Sequence, residues 1–164
     1  MEARYVIQFL LIMIGICAGL NSSAQINPHK IEQVDSLMAQ KPKPLLILLS
    51  TDWCQYCDLQ KNQLQKNEYF HNHKDEFYFI EFDAERKDPI DFMGKTYHFR
   101  PKGINTGIHE LVTIFTGNQS LSYPFWILLD ENFKPVFRHN GILNNKQINE
   151  LILTISKSLT KNSY

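Results

Sequence analysis

Residues 45–49 are all leucine or isoleucine, and Trp53-Cys54-Gln55-Tyr56-Cys57 follows almost at once. A continuously apolar run this short fits a strand buried on both faces. Thr51-Asp52-Trp53 provides the turn out of it. Residues 54–67, rich in Gln, Lys and Leu, suit a helix. A strand that enters the first turn of a helix here would expose the first sulfur and lower its pKa. Two thiols with two residues between them can close a small disulfide and reopen it. Thiol–disulfide exchange is therefore the chemistry this segment leads one to expect.

Other readings of the pair are weaker. A bridge closing so small a loop constrains the unfolded chain less than a long-range one, which argues against a purely structural staple. Half of a zinc site would need two further ligands. His71, His73 and His109 are available, but there is no second cysteine pair. The third cysteine, Cys17, lies in a different kind of segment. Residues 9–20 form a mostly apolar run that follows Arg4, too short for a bilayer span of about 20 residues. Ser22-Ser23-Ala24 then supplies small residues suited to cleavage after Ala24. Residues 1–24 are expected to be a signal peptide, and residues 25–164 a single domain in the periplasm or otherwise exported. A lipid anchor on Cys17, disfavoured by the bulky Ile16, and an uncleaved membrane anchor are the alternatives.

Formal net charge is zero, so no basic surplus suggests nucleic acid or an anionic membrane as a partner. Along the rest of the chain, Asn27-Pro28 is expected to start a helix whose apolar face is Ile31, Val34, Leu37 and Met38. Residues 77–83 read as a second interior strand, with Glu81 facing solvent or hydrogen-bonded, and Tyr69 and Phe70 as packing before it. Residues 88–103 suggest a hairpin or an irregular excursion. Thr106 is expected to cap a helix over 107–115. Residues 125–129 form a strong strand signal behind Tyr123-Pro124, and residues 133–137 an edge strand. Gly141 is a candidate bulge. Asn144 and Gln147 form a variant capping box for a final helix with Ile148, Leu151, Ile152, Ile155 and Leu159 buried. A mixed sheet with helices on both sides covers every apolar face.

These features together resemble the thioredoxin superfamily, in particular its exported thioredoxin-like thiol–disulfide oxidoreductases. The resemblance rests on residues 45–49, Asp52-Trp53-Cys54-Gln55-Tyr56-Cys57, residues 77–83, residues 123–130 and Gly141 before the terminal helix. It implies an α/β thioredoxin-like fold, a central mixed β-sheet flanked by helices, with an extended segment at about 88–120. It implies Cys54 as attacking thiolate and Cys57 as resolving thiol. Trp53 would shield the motif, with Gln55 and Tyr56 flanking the sulfurs. Pro124 would be a cis-proline facing the disulfide, and the backbone of Tyr123 would pair with an extended substrate.

Two departures stand out. The family's buried aspartate is replaced by Leu48, and its accompanying lysine by Phe79. The usual proton acceptor for the resolving cysteine is thus missing, with Glu81, Asp52 or a water as substitutes. Gln55-Tyr56 replaces the Gly-Pro of many cytosolic reductases. His109 and Trp126 read as structural.

The leading functional expectation is a disulfide reductase or thiol electron relay. It would act on protein thiols and disulfides, need no cofactor beyond the Cys54–Cys57 disulfide, and be recharged by a membrane thiol reductase. A disulfide isomerase or oxidase, or a partner-binding or chaperone module on the same fold, is the alternative.

Overall fold

The computed structural model describes residues 26–104, 106–117 and 119–161. The expected leader and Cys17 lie outside these residues. The centre is a four-stranded sheet of β1 (Leu45–Ser50), β2 (Tyr78–Asp83), β7 (Phe125–Leu129) and β8 (Pro135–Asn140), in the order β2-β1-β7-β8. β1 and β2 are parallel, joined by the helical crossover that parallel strands require. β7 runs antiparallel to β1 and to β8.

Every residue of β1 is buried, as its uninterrupted apolar run demands. Its alternate side chains serve two cores. Leu45, Ile47 and Leu49 join Ile80, Phe82, Phe125 and Ile127 beneath α1 (Val34–Gln40) and α4 (Glu110–Thr116). Leu46 and Leu48 join Phe79, Trp126 and Leu128 on the other face. That face is covered by α2 (Gln55–Gln65), α3 (Glu68–Asn72) and α5 (Asn145–Lys161) through Leu64, Phe70, Ile148, Leu151, Ile152 and Ile155. The expected fold class is the observed one: a mixed sheet between two helical layers.

Several boundaries differ from expectation. Asn27-Pro28 does not start a helix. The chain is extended there, and the His29 N–H donates to the Phe79 carbonyl (2.8 Å) before a single 3-10 turn leads into α1. Pairing with the open edge of β2 outweighs the local cap signal. Thr106 begins a strand rather than a helix, and α4 starts three residues after Gly107, capped by His109. The last strand begins at Pro135 because Phe133, with φ 61°, lies in the turn held by Asp130. Gly141, with φ 92°, follows β8, and its N–H donates to the Pro124 carbonyl (2.8 Å). The Asn144–Gln147 capping box forms as expected, with reciprocal bonds of 2.9 and 3.0 Å.

The excursion resolves into two ribbons. β3 (Ile90–Phe92) pairs with β4 (Lys95–Tyr97), and β5 (Phe99–Gly103) pairs with β6 (Thr106–His109). Ile90 and Phe92 anchor the first in the core. Gly107 is needed in the second. A Cβ there would lie 2.4 Å from both the Arg100 carbonyl oxygen and the Phe99 ring.

Candidate functional site

The site grows from the end of β1. Asp52 and Trp53 form the turn, Cys54 is the N-cap of α2, and Cys57 lies one turn in. The two cysteines form a disulfide with a Cα separation of 5.2 Å. The Cys57 N–H points at the Cys54 sulfur (3.1 Å), and those of Cys57 and Asp58 also donate to the Cys54 carbonyl. N–H groups at a helix start have no helical partner and favour negative charge. A Cys54 thiolate would sit where that field acts, while Cys57 is fully buried and Cys54 retains 5% exposure.

Around the pair the surface is aromatic. Trp53 and Tyr56 are about two-thirds exposed, at 65% and 67%. Gln55 is exposed beside them. Trp53 is nonetheless positioned: its indole N–H donates to Glu85 (3.2 Å), and its ring meets the Tyr123 ring edge-on at 6.1 Å. The Tyr123–Pro124 bond is cis and Pro124 is buried. The loop thus reaches the motif through the Trp53–Tyr123 contact. The Tyr123 hydroxyl is buried without a hydrogen-bond partner among the described residues. Burial, with the charges of Glu85 and Asp83, pushes its pKa up to about 12, so the phenol stays neutral.

Leu48 is fully buried on the sheet face that carries α2, and Phe79 is buried on that face beside it. No acid or lysine sits at either position. The neighbouring acid is Glu81, opposite Leu48 in the parallel register and paired with Lys61 at 3.5 Å. It is partly exposed, and the pair is a structural contact between β2 and α2. A second acid, Asp83, ends β2 and accepts the Glu85 N–H (3.0 Å). Burial holds its pKa above the ordinary range, helped by the charges of Asp52 and Glu85, and opposed by that hydrogen bond and by Lys61. Asp52, Asp83 and Glu85 line a polar cleft of about 420 Å³ that extends to Phe99 and Gly107 of the second ribbon.

Other residues singled out in the sequence sit outside this group. His109 is fully buried, and its Nδ1 accepts the Leu111 N–H (3.3 Å) as the cap of α4. Burial lowers its pKa, against the pull of the Asp88 carbonyl, Glu110 and the Tyr97 carbonyl. His71 and His73 each bond a backbone carbonyl, those of Gln65 and Tyr69. Among the described residues no group of three or more His, Cys, Asp or Glu side chains is placed to hold a metal ion. Trp126 is fully buried in the core.

Sequence reasoning missed Gln60. It is fully buried on the Cys57–Leu64 face of α2, where its amide donates to the Leu143 carbonyl (3.2 Å) and accepts the Leu143 N–H (2.7 Å). The helical spacing 57, 60, 64 carried the signal, but a polar residue does not register in an apolar pattern.

The chain belongs to the thioredoxin-like domain family, whose profile matches residues 32–156. No curated protein matches its sequence. Among solved structures it is similar to a thioredoxin-fold protein from Helicobacter pylori, with TM-score 0.54 and 18% identity over 82% of this chain and 77% of that one. It is also similar to a DsbH oxidoreductase, with TM-score 0.55 and 14% identity over 81% and 86% of the two chains. A third is a disulphide isomerase from Xylella fastidiosa Temecula1, with TM-score 0.50 and 16% identity over 76% and 88%. At these identities the likeness is one of fold. A cysteine pair at disulfide distance within this fold gives the protein thiol–disulfide redox chemistry.

Proposed function

We propose that the protein is an exported disulfide reductase or thiol relay. The observation that carries this is the Cys54–Cys57 disulfide at the start of α2, with helix N–H groups directed at Cys54. In the reduced protein the Cys54 thiolate attacks a substrate disulfide. A mixed disulfide forms, and one substrate thiolate leaves. Cys57, deprotonated, then attacks the Cys54 sulfur. The second substrate thiolate leaves, the protein pair is oxidised by two electrons, and the substrate is reduced by two. A dithiol donor, in this reading a membrane thiol reductase, returns the pair to the reduced state.

Residue roles follow the same proposal. Trp53, Gln55 and Tyr56 form the face a partner meets, and the Tyr123 backbone pairs with an extended substrate next to Pro124. The domain occupies residues 25–164, and residues 1–24 direct export. No helix among the described residues is long and apolar enough to cross a membrane. Exchange needs no metal or organic cofactor.

The deciding measurement is the reduction potential, by equilibration with a reference dithiol. A value near that of thioredoxin, about −270 mV, supports the reductase, and one near about −120 mV means an oxidant. Cys57→Ser should accumulate mixed disulfides on Cys54, and mildly acidic alkylation of the reduced protein should label Cys54 first. Preferential labelling of Cys57 would reverse the assigned roles. Intact mass of the exported protein tests cleavage after Ala24.

A further inference from the structure

The second ribbon separates two clefts of different character. On one side, Phe99 and Gly107 face the cleft that reaches Asp52, where Asp83, Glu85 and Asp88 stand with Arg86 and Lys87. On the other lies a cleft of about 450 Å³ bounded by Lys95, Tyr97, Arg100, Lys102, Ile108 and Ile114, with Glu110 and Thr113 of α4 also in its wall. Arg100 and Lys102 both face this cleft, although the register shift between Pro101 and Gly103 interrupts simple alternation in β5. Residues 94–103 contain Lys95, His98, Arg100 and Lys102 and no acid, although the whole chain is neutral. With Lys95, Arg100 and Lys102 against the single acid Glu110, the lining of the cleft is locally basic, not a reflection of overall charge.

Its internal compensation is incomplete. Arg100 is held by Glu110, with its Nε donating at 2.7 Å. Lys95 lies over the Tyr97 ring at 5.1 Å, and among the described residues neither Lys95 nor Lys102 has a carboxylate within ion-pair distance. Apolar surface lies between the charges: Ile108 and Tyr97 are half-buried, and Ile114 is 48% exposed. A polar floor would suit a small inorganic anion. This one calls for an occupant with both carboxylates and an apolar group.

We propose that this cleft docks an acidic peptide segment of a partner protein, with carboxylates on Lys95 and Lys102, Arg100 staying on Glu110, and one aliphatic side chain against Tyr97, Ile108 and Ile114. Charge complementarity sets the sign of the partner, and the cleft's volume suits a few side chains rather than a folded surface. The site is independent of the sulfur chemistry. The same ribbon borders the cleft at Asp52, so a partner held here would lie across the ribbon from that cleft.

The test uses the full chain and a cysteine-free, fluorescein-labelled peptide carrying several Asp and Glu residues around one leucine, read by fluorescence anisotropy. The peptide should bind, more weakly as salt rises. Reversing both exposed lysines, Lys95→Glu with Lys102→Glu, should weaken binding roughly tenfold or more. Ile114→Gln, or replacing the peptide's leucine with serine, should weaken it several-fold. Unchanged circular dichroism establishes that these surface variants are folded. Absence of binding to the unmodified protein, equal binding to the lysine double variant, or equal binding of a lysine-rich counterpart peptide would overturn the proposal. Binding only to vesicles containing anionic phospholipid, lost in the double variant, would overturn it in favour of a membrane surface.

Discussion

The four-stranded sheet and the two ribbons at 90–109 are built in opposite ways. In β1 all six residues are buried, and Leu45–Leu49 are each paired with a strand on both sides. In β5 no residue is fully buried, and the strand has one partner. The ribbons are held by a few ties. Ile90 and Phe92 sit in the core, the His109 N–H donates to the Ala84 carbonyl (2.8 Å), and that of Glu110 donates to the His98 carbonyl (2.9 Å). The sheet gains stability from area, and the ribbons gain position from single contacts. The redox turn lies between them, anchored on β1 and bordered by the second ribbon. A stiff base with a lightly held rim lets the rim vary without disturbing the sulfurs.

This contrast can be broken by substitution, beginning with the largest effect. Ile47→Ala, at a fully buried centre of β1, should cost about 2–5 kcal/mol. Urea denaturation followed by two probes should show one shifted, coincident transition. A loss below about 1 kcal/mol would mean that the sheet is less tightly packed than its burial indicates.

Gln60→Leu comes next. It strands the buried N–H and C=O of Leu143, each worth about 1–3 kcal/mol when left unpaired. The loss should appear in the same global transition, because the contact joins α2 to the entry of α5. Fast hydrogen exchange confined to the end of α5 would instead show that the two helices uncouple.

Gly107→Ala tests the rim. Its Cβ would meet the Arg100 carbonyl oxygen at 2.4 Å, which forces the ribbon strands apart. A loss of about 1–3 kcal/mol is expected, expressed as faster hydrogen exchange within residues 90–109. Turnover of a small aromatic disulfide at Cys54–Cys57 should be unchanged. A matching collapse of the central sheet would mean that rim and sheet unfold as one unit.

The smallest effect concerns Asp83, where the two regions meet. Its pKa is raised in the folded protein, chiefly by burial, so folding binds its proton. The stability this group contributes is complete below its ordinary value, near 3.8, and is lost as pH rises through the raised value. At neutral pH the ionised form is therefore a modest liability. Asp83→Asn keeps the acceptor for the Glu85 N–H and should raise the melting temperature at pH 7. The gain should disappear below about pH 3.8. A variant less stable at pH 7 would show that the carboxylate charge is itself favourable.

The same contrast explains which parts were readable from sequence. The sheet was, because burial on both faces leaves an uninterrupted apolar word such as residues 45–49, and the α5 face repeats at helical spacing. Cys54 and Cys57 were legible from spacing and from the strand before them. The Asn144–Gln147 cap was legible because its chemistry is local. Thr106 misled because a cap residue before an apolar stretch carries no information about a partner strand, and Phe99–Gly103 supplied one. Asn27-Pro28 misled for the same reason at the edge of β2. The Trp53–Glu85 bond and the Gln60 clip join residues far apart in sequence through polar groups, which apolar periodicity does not record.

The Gln60–Leu143 clip also bears on the order in which the protein is made. Its two ends are 83 residues apart. Cys54 and Cys57 are synthesised before the strand that pairs with β1 on one side, residues 78–83, and well before the one on the other, residues 125–129. The carbonyl and N–H that lock the turn of α2 after Cys57 arrive later still. A chain growing from its N-terminus therefore carries both thiols before the groups that cover Cys57 exist, and the burial of Cys57 waits on residues made after it. Until then the sulfur that the mature fold conceals lacks the strands and the clip that bury it.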